Sequence, residues 1–158
     1  MSKEKIFSSF GILPKEEMLE VKPNFKKLKI GIPKESSFQE NRVSLTPDSV
    51  GLLVANGHSV LIEQGAGLAS NFTDIEYTER GAVLAYSKKD VFQAQFILKI
   101  EPPTQEEIKL MKSGQELISA VQMSAHSADY FRKLSEKNIT AFGFEFMRDL
   151  QNKLPIVR

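Results

Sequence analysis

Short apolar runs alternate with helical patterns along most of the chain, and this alternation limits the fold more than any other feature. Strands fit at 28–32, 59–63, 82–85, 96–100, 116–121 and 140–144, with a possible seventh at 154–157. Helix start and stop signals lie between them. Thr46-Pro47-Asp48 opens the first helix: Thr offers an oxygen to the unpaired amides, Pro suits the first helical position and Asp complements the positive dipole end. Gly57 closes it. Thr73 with Glu76 and Thr104 with Glu107 have capping-box spacing, with Gly81 and Gly114 as stops. Ser87 precedes a short helix around Val91, and a helix over about 128–137 ends at Asn138. Strand–helix alternation implies right-handed crossovers. The expected fold is therefore α/β, a mainly parallel, doubly wound sheet with helices on both faces. Runs such as Val60-Leu61-Ile62 and Phe96-Ile97-Leu98 suit strands covered on both sides. Ligands of such sheets sit at the carboxyl ends of the strands.

The totals narrow the function. A chain of 158 residues suits one domain, and 41% hydrophobic with 26% charged residues is ordinary for a soluble globular protein. A net charge of +1 argues against nucleic acid as the main partner, because no basic excess exists to release counterions. Without cysteine there is no disulfide, thiolate metal site or cysteine nucleophile. With only His58 and His126, no histidine-rich metal site is expected. No apolar run approaches the roughly 20 residues of a membrane span, and the start lacks the apolar core of a signal peptide. A cytoplasmic location is the default expectation. Residues 1–27 read as a mixed-charge N-terminal extension with a short helix over 14–19, either a loose arm or a subunit contact.

Several residues carry potential chemistry. Arg42 lies in a polar loop with Lys34, Glu35 and Glu40 after the first strand. Its guanidinium fork fits a carboxylate bidentately, although a surface pair with Glu35 or Glu40 fits the same residues. Lys99 ends an otherwise apolar strand, where an ammonium needs a partner or a shifted pKa. It is either a site group or a lysine that snorkels or pairs with Glu101. Gln122 ends the fifth strand as a polar residue expected to bond to backbone. Glu145, in Phe142-Gly143-Phe144-Glu145-Phe146, reads first as a paired structural acid. His58 reads as a favourable charge at a helix C-terminus, and His126 as a surface residue. Gly65-Ala66-Gly67 follows a strand, like a dinucleotide loop. However, Ser70 stands where that loop has its third glycine, and no acid ends the next strand, so a tight turn is the better reading.

The strings Gly31-Ile32-Pro33-Lys34-Glu35 and Glu40-Asn41-Arg42-Val43-Ser44-Leu45-Thr46-Pro47 resemble the N-terminal signature of the alanine dehydrogenase and pyridine nucleotide transhydrogenase family. The similarity runs from about Lys29 to the last residue. The resemblance implies a Rossmann-like fold, with 28–158 as the first segment of a substrate-binding domain. The cofactor domain, and with it any cofactor-binding residue, lies outside this chain. It implies a parent enzyme, a homo-oligomer, that converts L-alanine, NAD and water into pyruvate, ammonium and NADH, and a fragment inactive by itself. Arg42 then binds the substrate carboxylate, and Lys99 contacts that carboxylate and the carbonyl oxygen. Gln122 is a departure: many alanine dehydrogenases have a histidine there, proposed as general acid/base. A glutamine amide orients groups but does not shuttle protons near pH 7. Either Lys99, a water or His126 carries the proton, or the chemistry differs. The transhydrogenase branch also lacks that histidine. The remaining readings are the nucleotide-binding subunit of a proton-translocating transhydrogenase and a non-catalytic assembly or ligand-sensing module. A relationship to saccharopine dehydrogenase, whose first domain is similar, also stays open.

Overall fold

The computed structural model describes residues 26–154. Six strands form one sheet among them: β1 (Lys29–Ile32), β2 (Ser59–Glu63), β3 (Val83–Ala85), β4 (Phe96–Leu98), β5 (Glu116–Ser119) and β6 (Thr140–Gly143). Their order is β3-β2-β1-β4-β5-β6, and every neighbouring pair is parallel. The winding direction reverses between β1 and β4. In doubly wound sheets such a switch point, at the carboxyl ends of its two strands, is where ligands bind.

The expected helices are present as α1 (Pro47–Ala55), α2 (Asp74–Glu79), α3 (Lys88–Val91), α4 (Gln105–Leu110) and α5 (Ala128–Glu136). Thr46 caps α1 by accepting from the Ser49 N–H, and both capping boxes form. One stop differs from expectation. α4 ends at Leu110, because Met111 turns to extended backbone, and Gly114, at φ +76°, makes the turn into β5 instead. Five strands are also shorter than expected by one or two residues, β1 and β3 at their starts and β4, β5 and β6 at their ends. Beyond Leu98 the Lys99 N–H still bonds to the Ile118 carbonyl at 3.0 Å, but the chain then leaves toward Pro102-Pro103. Beyond β6, Phe144–Phe146 is a 3-10 turn. The helix expected over 14–19 and residues 155–157 of the possible seventh strand lie outside the described residues.

Two cores sandwich the sheet. One joins Ile30, Ile32, Val60 and Ile62 to Val50 of α1 and Tyr77 of α2. The other joins Ile97 and Leu117 to Ile108 of α4 and Tyr130 and Leu134 of α5. Right-handed crossovers set α1 and α2 on one face and α3 to α5 on the other. The expected cover on both faces therefore holds for β1 and β2 but thins toward β6, where Phe142, registered beside Ile118 and Leu98, is 44% exposed. No described helix is long and apolar enough to cross a membrane.

Candidate functional site

The loops that follow β1, β4, β5 and β6 are linked in series by side-chain bonds at one end of the sheet. Lys99, the first residue after β4, keeps only 1% of its side chain exposed. Its ammonium lies 2.9 Å from Glu35 Oε2 and 3.4 Å from Glu107 Oε1. An isolated ammonium at that depth would be too costly to keep, so two carboxylates share it. The other Glu35 oxygen accepts from the Ile100 N–H at 2.7 Å and thereby ties the β1 loop to the β4 loop. Glu107 Oε2 closes the α4 capping box by accepting from the Thr104 N–H, while Oε1 also accepts from Lys88 Nζ at 2.8 Å and Ser36 Oγ at 2.9 Å. Burial works against the Glu107 charge. Lys99, the Lys88 hydrogen bond and the Thr104 amide outweigh it and hold this carboxyl below its ordinary range.

Arg42 is set differently. Its Nε and Nη2 donate to the two oxygens of Glu40 at 2.9 and 2.6 Å, and its backbone N–H adds a third bond. The Arg42 side chain is 60% exposed, that of Glu40 only 8%. The hydrogen bond to Glu40 raises the guanidinium's already high pKa, against a little burial, and the charges of Glu40, Glu101 and Glu35 add to it. Arg42 therefore sits in the field of both the acid that holds Lys99 and the acid that holds Gln122. The Nη1 edge of the fork has no protein partner among the described residues. Three bonds anchor the loop: Ser44 Oγ to the Leu98 carbonyl, Ser70 Oγ to the Asn41 carbonyl, and Tyr77 OH to the Leu45 carbonyl at 2.7 Å.

Gln122 lies beyond the end of β5, not on the strand as expected, at φ +46°, a region that disfavours side chains. Glu145 holds this turn. Its Oε1 accepts the N–H groups of Val121 and Gln122 at 2.7 and 2.9 Å, the structural role expected for it. The Gln122 side-chain amide donates to Glu101 Oε2 at 2.7 Å. Glu101, considered from sequence as a partner for Lys99, is thus drawn to Gln122, and Lys99 takes Glu35 and Glu107.

His126 departs from its expectation as a surface residue. Its ring is half-buried and stacks on Tyr130 at 4.1 Å and 15°, and its Nε2 is buried with no hydrogen-bond partner among the described residues. Together with Gln122, Glu101, Pro103, Thr104 and Tyr130 it lines a cavity of about 270 Å³. His58 follows Gly57 after α1, and its Nδ1 accepts from the Leu28 N–H at 3.3 Å. The Gly65–Gly67 loop does not fit a dinucleotide. The Gly65 amide is taken by Asp74 Oδ1 at 2.8 Å, and a Cβ on Gly67 would lie 2.6 Å from the Tyr77 ring. Gly67 makes room for Tyr77, Gly65 takes a positive φ of 73° in the turn, and the Asp74 carboxylate would repel a phosphate.

Sequence reasoning missed Glu35 and Glu107 as the pair that holds Lys99. Glu107 already had an explanation as a helix cap, and Glu35 lies far from Lys99 along the chain. The available signal was Lys99 itself, since a buried cation demands buried acids.

Comparison with known proteins agrees with this architecture. Residues 31–158 match the family described as alanine dehydrogenase/PNT, N-terminal domain. An alanine dehydrogenase from Methanococcus maripaludis is 39% identical over 129 residues, 81% of this chain and 34% of that protein. One from Staphylococcus saprophyticus is 36% identical over 128 residues, with the same coverage. The solved structure of an L-alanine dehydrogenase superposes with a TM-score of 0.76 at 35% identity, covering 80% of this chain and 35% of that one. A transhydrogenase from Sinorhizobium meliloti gives 0.71 at 31% identity, covering 77% and 36%. The chain thus spans about a third of the length of these relatives.

Proposed function

Because this chain belongs to the alanine dehydrogenase/PNT family through its N-terminal domain, we propose that it is the first segment of the substrate-binding domain of an alanine dehydrogenase. In the whole protein it serves the conversion of L-alanine, NAD and water into pyruvate, ammonium and NADH. The observation that carries this reading is the placement of Arg42 and Lys99 in the loops that follow β1 and β4, the two strands of the switch point.

Each residue has a role that follows from its setting. The Nη1 edge of Arg42 offers paired donors to the substrate carboxylate while Glu40 holds the opposite edge. Lys99 has three ammonium donors. Glu35 and Glu107 take two, which leaves one for a substrate oxygen. Fixing both ends of so small a substrate sets its Cα–H in one direction, the proximity contribution to the rate. NAD, held by a domain outside this chain, supplies the hydride acceptor.

The test uses the complete protein that carries this segment. NADH oxidation is followed with pyruvate plus ammonium, and with pyruvate alone as the control. Ammonium-dependent turnover is expected. Arg42→Ala should cost about 2–5 kcal/mol of transition-state binding, a loss of about 30-fold or more in kcat/KM. Unchanged turnover in that variant would sink the assignment.

A second reading is favoured by Gln122, a side chain without a titrating proton, and by the similarity to a solved transhydrogenase. In it the whole protein exchanges hydride between nicotinamide nucleotides and binds no amino acid. Competent NADH binding without ammonium-dependent turnover would select it.

A further inference from the structure

Converting an amino acid to a keto acid and ammonium requires a group that takes up and returns a proton. This inference rests on the dehydrogenase reading above. Arg42 stays charged, Gln122 has no titrating proton, and Lys99 is committed to two carboxylates. His126 is the one described side chain on the shared cavity wall that joins a titratable ring to an unsatisfied buried atom. Its Nε2 lacks a partner, its ring is fixed by the stack on Tyr130, and its cavity is the one that Gln122 and Glu101 also line. A buried polar atom left unpaired is costly unless something comes to meet it. The Tyr130 hydroxyl is already spent on the Pro103 carbonyl at 2.9 Å, so it does not serve.

We propose that His126 is a catalytic residue of this site, with Nε2 as the proton carrier and the cavity beside Gln122 as the place of the reacting nitrogen and water. Once the substrate ammonium has released one proton to solvent and its Cα hydride has gone to the acceptor that NAD would supply, the carbon–nitrogen double bond carries two protons on nitrogen and a positive charge. The oxygen of a water bonds to that carbon while His126 Nε2 takes one proton from the water. His126 then returns that proton to the nitrogen. The carbon–nitrogen bond breaks, the remaining hydroxyl proton leaves with the nitrogen as ammonium, and the oxygen stays as the carbonyl of pyruvate. Gln122, held by Glu101, positions the water by hydrogen bonding and transfers nothing.

The experiment measures pyruvate-plus-ammonium turnover in the complete protein for the unmodified enzyme, His126→Gln and the double variant Gln122→His/His126→Gln. The expected result is a fall in kcat of about 100-fold or more in His126→Gln, the scale of a lost general acid/base. KM for pyruvate should move by much less, and the double variant, which puts an imidazole back on the same cavity wall, should recover much of the rate. Activity of His126→Gln within about threefold of the unmodified enzyme overturns the role of His126 and leaves the dehydrogenase reading standing. An unmodified enzyme with no ammonium-dependent turnover removes that reading, and this inference with it. If His126→Gln does not fold, nitrogen-15 NMR of the unmodified protein decides: the His126 Nε2 resonance should move when pyruvate is added with NADH, and a resonance indifferent to saturating pyruvate overturns the proposal.

Discussion

The Lys99 strand end and the Arg42 loop each hold a cation at the same end of the sheet, 1% exposed in one case and 60% in the other. Lys99 follows directly from β4, so backbone pairing fixes its position, and Glu35 and Glu107 neutralise it from two other elements. Arg42 sits in a connecting loop, and its partner Glu40 is two residues away in the same loop. The first arrangement couples a charge to global stability, because three segments must be in place at once. The second builds a charge that is local and replaceable. Lys99 thus binds the scaffold together as well as offering its third donor to a substrate, while Arg42 carries no such structural duty and can be spent on recognition alone. Substitutions should separate these roles by the size of their effect on folding.

The largest effect belongs to Lys99. Lys99→Met leaves two buried acids without the cation they share, and it should cost about 3–5 kcal/mol in urea unfolding. Replacing Glu35 and Lys99 together by Met should cost less than Lys99→Met alone, because one of the stranded charges goes with its partner. A double-variant cost equal to the sum of the Glu35→Met and Lys99→Met costs would show that Glu35 is not coupled to Lys99.

Glu107→Gln comes next, at about 2–3 kcal/mol at neutral pH, since it keeps an acceptor for Thr104 but removes the charge that Lys88 and Lys99 meet. Its pH dependence is the sharper readout. The folded-state pKa of Glu107 lies below its ordinary value of 4.5, so its contribution is complete above that value and is lost as pH falls through the lower folded value. The gap between the two proteins should therefore narrow from about pH 4.5 downward. A gap that stays constant into stronger acid would remove Glu107 from the network.

Local chemistry made the elements legible from sequence. Thr46, Thr73 and Thr104 cap the helices they announce, because a cap depends on neighbours within four residues. The parallel, doubly wound sheet followed from alternation alone. The switch point at β1 and β4 did not, since strand order depends on which strands meet in space. The candidate site divided along the same line. Arg42 and Lys99 stood out by residue type and position, and a pair between Arg42 and nearby Glu40 was visible. The Glu35–Lys99 pair, 64 residues apart, was not. His126 read as a surface residue, because its burial comes from a stack on Tyr130 one turn into α5 and from a cavity wall supplied by another loop.

Between the two cations in expected effect lies Tyr77, which anchors the Arg42 loop. Its hydroxyl donates to the Leu45 carbonyl from a buried position, and burial, then the Glu76 charge, push its pKa up to about 12. Tyr77→Phe keeps the ring that packs against Gly67 and removes only that bond, at a cost of about 1 kcal/mol. Hydrogen exchange should quicken in the loop before α1 and stay unchanged at β4. Faster exchange at both places would mean that the loop and the Lys99 network open together.

Arg42 itself should matter least to folding. Its contacts with Glu40 are short, but they lie within one loop and the guanidinium is mostly in water, where such pairs contribute about 0–1 kcal/mol. The cost is not zero, because the Glu40 side chain is nearly buried and loses its cation. Arg42→Lys separates charge from shape: it restores a positive charge near Glu40 but cannot offer a planar fork. In urea unfolding Arg42→Ala should fall within about 1 kcal/mol of the unmodified chain, with Arg42→Lys closer still. In the complete enzyme the order of interest is different, because Arg42→Lys should recover little of the pyruvate turnover that Arg42→Ala loses. A lysine that restored turnover fully would mean that the site needs only a charge at this position, and the contrast between a scaffold cation and a recognition cation would lose its geometric half.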